Sequence, residues 1–263
     1  MTNGKPKVLA TRHFPPDVEK RLAANFDALL NPQDKLYDGP ALAKAAAGHA
    51  GIMCAAGDPL NAATIEALPD SVKMIATFSV GYEHVDVAAA AKRGIKVSNT
   101  PDVLTDATAD IALLCLLGAA RRAHEGTTML RTHNWVGWEP TQLMGTHVTG
   151  KRLGILGMGR IGQAVADRAR AFRMTIHYNN RSRLPADLEK GATFHANPDD
   201  MLPHCDFLSI NAPLTPQTRK WVNAERIARM PKGAVVVNTA RGGVVDDEAL
   251  IAALRSGRLA AAG

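Results

Sequence analysis

Two hydrophobic rhythms alternate along this chain. Residues 7–10, 51–54, 74–77 and 95–97 are short continuous apolar runs, the pattern of strands buried on both faces. Between them, 17–25, 40–47, 61–68 and 85–92 carry the three- and four-residue spacing of helices. A longer apolar helix follows Pro101. Pro101 is expected to open it, Asp102 and Asp106 suit its N-terminus, and it is expected to run to about Ala123. Residues 111–117 are apolar all round, which predicts burial between layers. The stretch 126–150, with Trp135, Trp138, Pro140 and four glycines, breaks the rhythm and reads as a long irregular connection. The alternation then restarts, with strands at 152–156, 175–178, 206–210 and 234–238 and helices at 160–171 and 246–254. Leu259 starts a further strand, a frayed Ala-rich tail being the plainer alternative.

Strand–helix alternation of this kind implies parallel sheets covered on both faces. The expected fold class is α/β with two doubly wound parallel-sheet domains. Residues 1–99 would form one and 100–263 the other.

Composition narrows the function classes. In 263 residues, 46% are hydrophobic and 21% charged, which fits a folded chain with a core. Three scattered cysteines, Cys54, Cys115 and Cys205, form no CxxC pair, so neither a disulfide framework nor a metal cluster is expected, and a reducing cytoplasm fits. The longest apolar run is too short to span a bilayer and the N-terminus has no signal core. The net charge of +6 is spread over runs of at most two basic residues, without interleaved aromatics. That argues against nucleic acid and leaves a small anionic ligand as the simpler partner.

The sharpest local signal is Gly157, Gly159 and Gly162, a GxGxxG spacing that directly follows an apolar strand and opens a helix. In that context the first glycine permits a tight turn. The second lets backbone approach a pyrophosphate, and the third lets helix pack on strand. The helix N-terminus adds free N–H groups and partial positive charge. About twenty residues on, where an acidic residue would take a ribose 2′-hydroxyl, the chain instead reads Asn179, Asn180, Arg181, Ser182, Arg183. Guanidinium forks suit a phosphate dianion, so NADP(H) is expected in preference to NAD(H), which stays possible. Solvated surface arginines are the other reading of the same residues.

Five stretches then occur in one order: Phe78-Ser79-Val80-Gly81-Tyr82-Glu83-His84-Val85-Asp86, residues 99–105 (Asn-Thr-Pro-Asp-Val-Leu-Thr), the glycine loop, residues 211–218 (Asn-Ala-Pro-Leu-Thr-Pro-Gln-Thr), and residues 237–247 around Arg241. In this combination the chain resembles the D-isomer-specific 2-hydroxyacid dehydrogenases over essentially its whole length. Within them it is most similar to the glyoxylate/hydroxypyruvate reductases. The resemblance implies a flavodoxin-like substrate domain and a Rossmann NAD(P)-binding domain, with a cleft between them. It implies that the amides of Val80 and Gly81 hold a substrate carboxylate and that Arg241 grips the carboxylate and carbonyl of a 2-oxoacid. Thr105 would lie beside the nicotinamide, and Arg160 and Ile161 on the pyrophosphate loop. Ala212, Pro213, Thr239 and Ala240 would line the cofactor. Trp138 matches an aromatic that can reach a partner subunit's active site, and a homodimer is expected. Plainer readings are an ordinary turn at Val80–Gly81, a surface charge at Arg241 and interface core at Trp138.

The implied reaction is NADPH-dependent reduction of glyoxylate or hydroxypyruvate by hydride transfer. In the family the acid is a histidine paired with a glutamate, both placed after the Arg241 stretch and beyond Leu259. Neither is present here, nor is the last strand of the cofactor domain or the helix returning to the first. An incomplete chain with little turnover is therefore expected. His84, near the substrate turn, is read as a helix-start or second-layer residue. Asn211 stands where many relatives have His. A dinucleotide sensor or corepressor-like scaffold on the same fold, and phosphoglycerate, formate or phosphite dehydrogenases, are the rival readings.

Overall fold

The apolar runs pair in parallel, as buried strands joined by helical crossovers must. The computed structural model describes residues 4–263, and the chain divides into one unit ending at Val103 and a second starting at Leu104. The first unit holds strands β1 (Lys7–Ala10), β2 (Asp27–Leu29), β3 (Gly51–Cys54), β4 (Met74–Thr77) and β5 (Lys96–Ser98). Its helices are α1 (Pro16–Asn25), α2 (Gly39–Ala45), α3 (Ala62–Ala67) and α4 (Val87–Lys92). The sheet order is β2-β1-β3-β4-β5, the flavodoxin-like order, with every ladder parallel.

Three helices start one residue after a side-chain cap. Asp38, Asn61 and Asp86 accept from the amides of Ala41, Thr64 and Ala89 at 2.8, 3.0 and 2.9 Å. Each cap satisfies an otherwise orphaned N–H, at about 1 kcal/mol apiece. The same caps explain why α3 and α4 begin later than hydrophobic spacing alone suggests. Leu9, Ile52 and Ile75 line the sheet and pack with Leu42, Ile65 and Ala90 into one core.

The second unit holds β6 (Arg152–Leu156), β7 (Thr175–Asn179), β8 (Thr193–Phe194), β9 (Phe207–Ile210), β10 (Ala234–Asn238) and β11 (Leu259–Ala262). Its helices are α5 (Thr105–Ala120), α6 (Ala123–Arg131), α7 (Arg160–Ala171), α8 (Ala186–Glu189), α9 (Pro198–Met201), α10 (Ala224–Arg229) and α11 (Asp247–Arg255). The sheet runs β11-β10-β9-β6-β7-β8, all parallel, which is the six-strand dinucleotide-fold order read from its far edge. Successive strand residues feed opposite cores. Phe207, Val235 and Val237 pack with α5 and α7, whereas Leu208, Ala234 and Val236 pack on the other face with Met201, Ile227 and Trp221. Fully burying each of these larger apolar side chains contributes about 1.5–3 kcal/mol.

Three helix expectations change. Pro101 does not open α5, because Asp102 adopts a left-handed conformation (φ 69°) and the helix begins only at Thr105. A second left-handed residue, Arg122 (φ 54°), ends that helix and turns the chain into α6, so the irregular connection starts after Arg131. The apolar α5 is also not buried all round. Ala109, Ala112, Leu113, Leu116 and Ala120 face the core, while Ile111 and Leu114 are 50% and 64% exposed. Among the described residues no helix is long and apolar enough to cross a membrane, and the three cysteines are unpaired.

Candidate functional site

In the first unit the substrate-turn sequence follows the carboxyl end of β4. Phe78 N–H donates to the Cys54 carbonyl at 2.7 Å, and the Phe78 ring meets Phe14 edge-on. The turn is then pinned from three directions. Asn99 Nδ2 donates to the Val80 carbonyl (2.8 Å), the Thr100 amide to the Ser79 carbonyl (3.0 Å), and Ser79 Oγ to the Gly81 carbonyl (2.6 Å). Ser79 Oγ is itself 2.7 Å from buried Thr77 Oγ1, which lies 2.9 Å from His84 Nε2. His84 thus stands behind the turn. All three carbonyls of the turn are engaged, whereas the amides of Val80 and Gly81 donate to no protein atom among the described residues. Adjacent backbone N–H groups left open on a braced turn are the kind of donors an anion can use.

In the second unit the predicted cofactor residues other than Thr105 follow the carboxyl ends of β6, β7, β9 and β10. This is where open parallel sheets bind ligands, beside the β6–β9 pair at which the strand order reverses. The three loop glycines have different reasons for lacking a side chain. Gly157 has φ +92°, and a Cβ there would lie 2.7 Å from the Ala212 amide nitrogen. Gly162 is packed so that a Cβ would run into the Gly157 carbonyl. At Gly159, which caps α7, a Cβ would meet nothing within 4 Å. The protein needs the first and third glycines for itself. The second opens onto space that a ligand's phosphates can enter.

Asn180 braces this loop by accepting from the Met158 amide at 2.7 Å and donating back to the Met158 carbonyl at 3.4 Å. Two polar atoms at the same strand ends, Asn211 Oδ1 and Thr239 Oγ1, are buried without a hydrogen-bond partner. Such groups are costly to leave unmet, and a polar ligand or a bound water would satisfy them. The open approach at Gly159 and these two orphaned oxygens fit a dinucleotide. Ala212 is buried beneath Gly157, and the Pro213 carbonyl accepts from Thr218 Oγ1 (2.7 Å), which staples the next loop.

Arg241 is set by its backbone. Asn238 Oδ1 accepts from the Ala240 amide (3.0 Å), Asn238 Nδ2 donates to the Arg241 carbonyl (2.9 Å), and Arg241 Nη1 donates to the Ala240 carbonyl (3.0 Å). Asn238 therefore shapes the turn carrying Thr239, Ala240 and Arg241, a role that its place beside the motif signals only indirectly. Arg160 is exposed and Ile161 half-buried on the first turn of α7, and Thr105 is the first residue of α5. Trp138 is 79% exposed.

The two arginines after β7 are not equivalent. Arg181 and Ser182 are exposed and make no side-chain bond among the described residues, but Arg183 grips Glu189 through Nε and Nη2 at 2.8 and 3.0 Å. Of the two arginines expected to meet a phosphate, Arg183 is thus already paired with a carboxylate while its side chain stays 67% exposed, and Arg181 has no side-chain bond among the described residues. No acid lies within 177–183, yet Glu189 reaches back from the end of α8.

A second polar cluster lies on the β7 side of the same sheet. His177 Nδ1 is 3.0 Å from His195 Nε2, and the His204 ring stacks on His177 at 4.9 Å. Burial, followed by the neighbouring His204 and His195, pushes the His177 pKa down to about 4, and burial lowers that of His195. A depressed basic pKa means that the unfolded chain binds protons the folded one refuses. Stability is therefore full above about pH 6.5 and falls as pH drops toward 4. We expect a loss on the order of 2 kcal/mol for the partly exposed His177. Urea melts of the wild type at pH 7.5 and 5 measure it. His204→Gln should shrink the difference without abolishing it, because burial remains, and equal midpoints in the wild type would refute it. Among the described residues no group of acidic, histidine and cysteine side chains is arranged to hold a metal.

Residues 113–263 match the family model described as D-isomer specific 2-hydroxyacid dehydrogenase, NAD binding domain. The chain is 42% identical to a glycerate dehydrogenase of Hyphomicrobium methylovorum over 98% of its own length and 81% of that protein's. It is 41% identical to a glyoxylate reductase of Thermococcus kodakarensis over 98% of this chain and 79% of the relative. A Polaromonas structure described as a D-isomer specific 2-hydroxyacid dehydrogenase superposes with a TM-score of 0.91 at 46% identity, covering 99% of this chain and 81% of that one. A Sinorhizobium meliloti NADPH-dependent glyoxylate/hydroxypyruvate reductase, solved with NADP and malonate, superposes at 0.88 with 33% identity, covering 99% and 79%. With this agreement over nearly all its length, and with a dinucleotide cradle at the expected strand ends, the chain belongs to the D-isomer specific 2-hydroxyacid dehydrogenase family.

Proposed function

We propose that the protein reduces a small 2-oxoacid, glyoxylate or hydroxypyruvate, to its 2-hydroxyacid and prefers NADPH as the reductant. The observation that carries this reading is the cradle itself: a glycine loop open at Gly159, with orphaned Asn211 Oδ1 and Thr239 Oγ1 at the ends of neighbouring strands. Gly157, Gly159, Arg160, Ile161 and Gly162 would hold the pyrophosphate, with Asn180 bracing the loop. Ala212, Pro213, Thr239, Ala240 and Thr105 would line the rest of the cofactor. When bound, the nicotinamide supplies the hydride.

The chain's own residues supply orientation and charge. The amides of Val80 and Gly81 seat the substrate carboxylate, and the Arg241 fork aligns the planar 2-oxoacid and polarises its carbonyl. The relatives named as glyoxylate reductases and as a glycerate dehydrogenase support this substrate class. Arg181 and Ser182, with no acidic residue beside them, support the NADPH preference.

Exposed Ile111, Leu114, Leu130, Val136 and Trp138 lie on the second unit, and we assign them to a two-fold dimer interface. Sedimentation velocity should give the mass of two chains. The unpaired cysteines accord with a cytoplasmic setting.

The experiment that tests the reading is a panel of 2-oxoacids with NADPH and NADH, followed by consumption of the reduced nucleotide. Glyoxylate or hydroxypyruvate with NADPH should give the largest kcat/KM. A larger value for phosphohydroxypyruvate, or no binding of either nucleotide, would displace it.

A further inference from the structure

Glu189 is the one acidic side chain that is fully sequestered beside the segment assigned to the cofactor's ribose. It is 6% exposed and ends the short helix α8. A buried carboxylate needs partners, and this one has three donors. Arg183 donates Nε to Oε1 (2.8 Å) and Nη2 to Oε2 (3.0 Å), the bidentate geometry that a guanidinium and a carboxylate share. The Tyr178 hydroxyl donates to Oε1 at 2.6 Å. That hydroxyl also accepts the Leu184 amide at 2.9 Å, so backbone and side chain of consecutive residues are tied to one point.

The anchor is rigid. Tyr178 is completely buried on β7, and the Glu189 carbonyl accepts from Arg170 Nη2 of α7 at 2.8 Å. The chain is therefore fixed at 183–184, immediately after the two exposed residues Arg181 and Ser182, whose side chains have no such tie among the described residues.

Resting on the NADPH reading above, we propose that Glu189 is a specificity-determining, positioning residue for the 2′-phosphate. Through Arg183 and Tyr178 it holds the loop so that Arg181 and Ser182 face the phosphate ester already in place. Arg183 is engaged by the carboxylate and does not serve as the phosphate ligand. Preorganisation of this kind strengthens binding by removing the ordering cost at the moment of association. It should act on the 2′-phosphate and leave the pyrophosphate untouched, because the latter is assigned to the glycine loop after β6.

The test is calorimetric titration of the full chain with 2′,5′-ADP and with 5′-AMP, which differs from it only by the 2′-phosphate, at one ionic strength. The wild type should bind 2′,5′-ADP at least about tenfold more tightly, and Arg181→Gln should erase that margin while 5′-AMP stays within about twofold. Glu189→Gln, Arg183→Gln and Tyr178→Phe should each weaken 2′,5′-ADP by about three- to tenfold with 5′-AMP unchanged, and the Glu189→Gln/Arg183→Gln pair should be no worse than either alone, as for residues acting as one unit. Tyr178→Phe deletes a single hydroxyl and so keeps the test open if a charge variant fails to fold.

If Glu189→Gln binds 2′,5′-ADP as tightly as the wild type, Glu189 does not position the loop, and if it binds more tightly, Arg183 is a phosphate ligand that Glu189 withholds; either result overturns the proposal while the NADPH preference stands. Equal binding of the two nucleotides by the wild type would instead overturn the cofactor reading itself.

Discussion

Replacing Gly157 by alanine should destabilise the second unit by about 3–5 kcal/mol, a large part of the 5–15 kcal/mol typical of a folded domain. Two costs combine. The residue sits at φ +92°, where an L side chain is strained by its own backbone. The added methyl also meets backbone: the Ala212 nitrogen at 2.7 Å, and the Ala212 Cα and Asn211 carbonyl carbon at 2.9 Å each. Backbone of a buried strand exit cannot rotate away as a side chain can. Two substitutions in the same motif should therefore behave in opposite ways. Gly159→Ala adds a methyl to open space at an ordinary φ of −76°, so its melt should match the wild type. Its dinucleotide titration should nevertheless weaken, because the methyl occupies the approach left for phosphates. Thermal melts and nucleotide titrations of the two variants read this directly. A Gly157→Ala protein that melts with the wild type would mean that the loop does not need its left-handed turn.

The second large effect belongs to Arg241. Relative to a wild-type rate that is itself expected to be low, since no histidine follows Arg241 in these 263 residues, Arg241→Gln should lower kcat/KM for glyoxylate by about a hundredfold or more, the roughly 3 kcal/mol associated with losing one oriented charge at a polarised carbonyl. Arg241→Lys should recover only part of it, since an ammonium keeps the charge but loses the planar fork. NADPH affinity should stay within about twofold, because the proposed cofactor contacts of this turn run through Thr239 and Ala240. The turn itself is organised by Asn238 rather than by the guanidinium, so the variant should fold normally. Unchanged kcat/KM in Arg241→Gln would remove this residue from the reaction.

Most of the sheet architecture was legible in the sequence because buried parallel strands are nearly uninterrupted apolar runs. The strand that escaped in the first unit, β2, is Asp-Ala-Leu, too short and too polar to show a period. It exists because it finds the register of Lys7, Val8 and Leu9. The two-residue β8 is likewise made by its neighbour, His177 and Tyr178. Helix starts were displaced where a cap stood inside the apolar spacing, and the start of α5 where Asp102 turned left-handed. The glycine loop could be read because its spacing is local. Glu189 could not, since its meaning depends on the reach of three side chains around a loop. The orphaned oxygens of Asn211 and Thr239 are equally invisible until the strand ends are placed side by side.

The seat we assign to the substrate's acid group at Val80–Gly81 is made of main-chain amides. Such donors neither gain nor lose a proton in any range an enzyme experiences. Capture of the oxoacid should accordingly be indifferent to acidity from mildly acid to mildly alkaline buffers. Any bell or slope in a rate profile then reports the step that moves a proton and leaves the docking of the anion out of account.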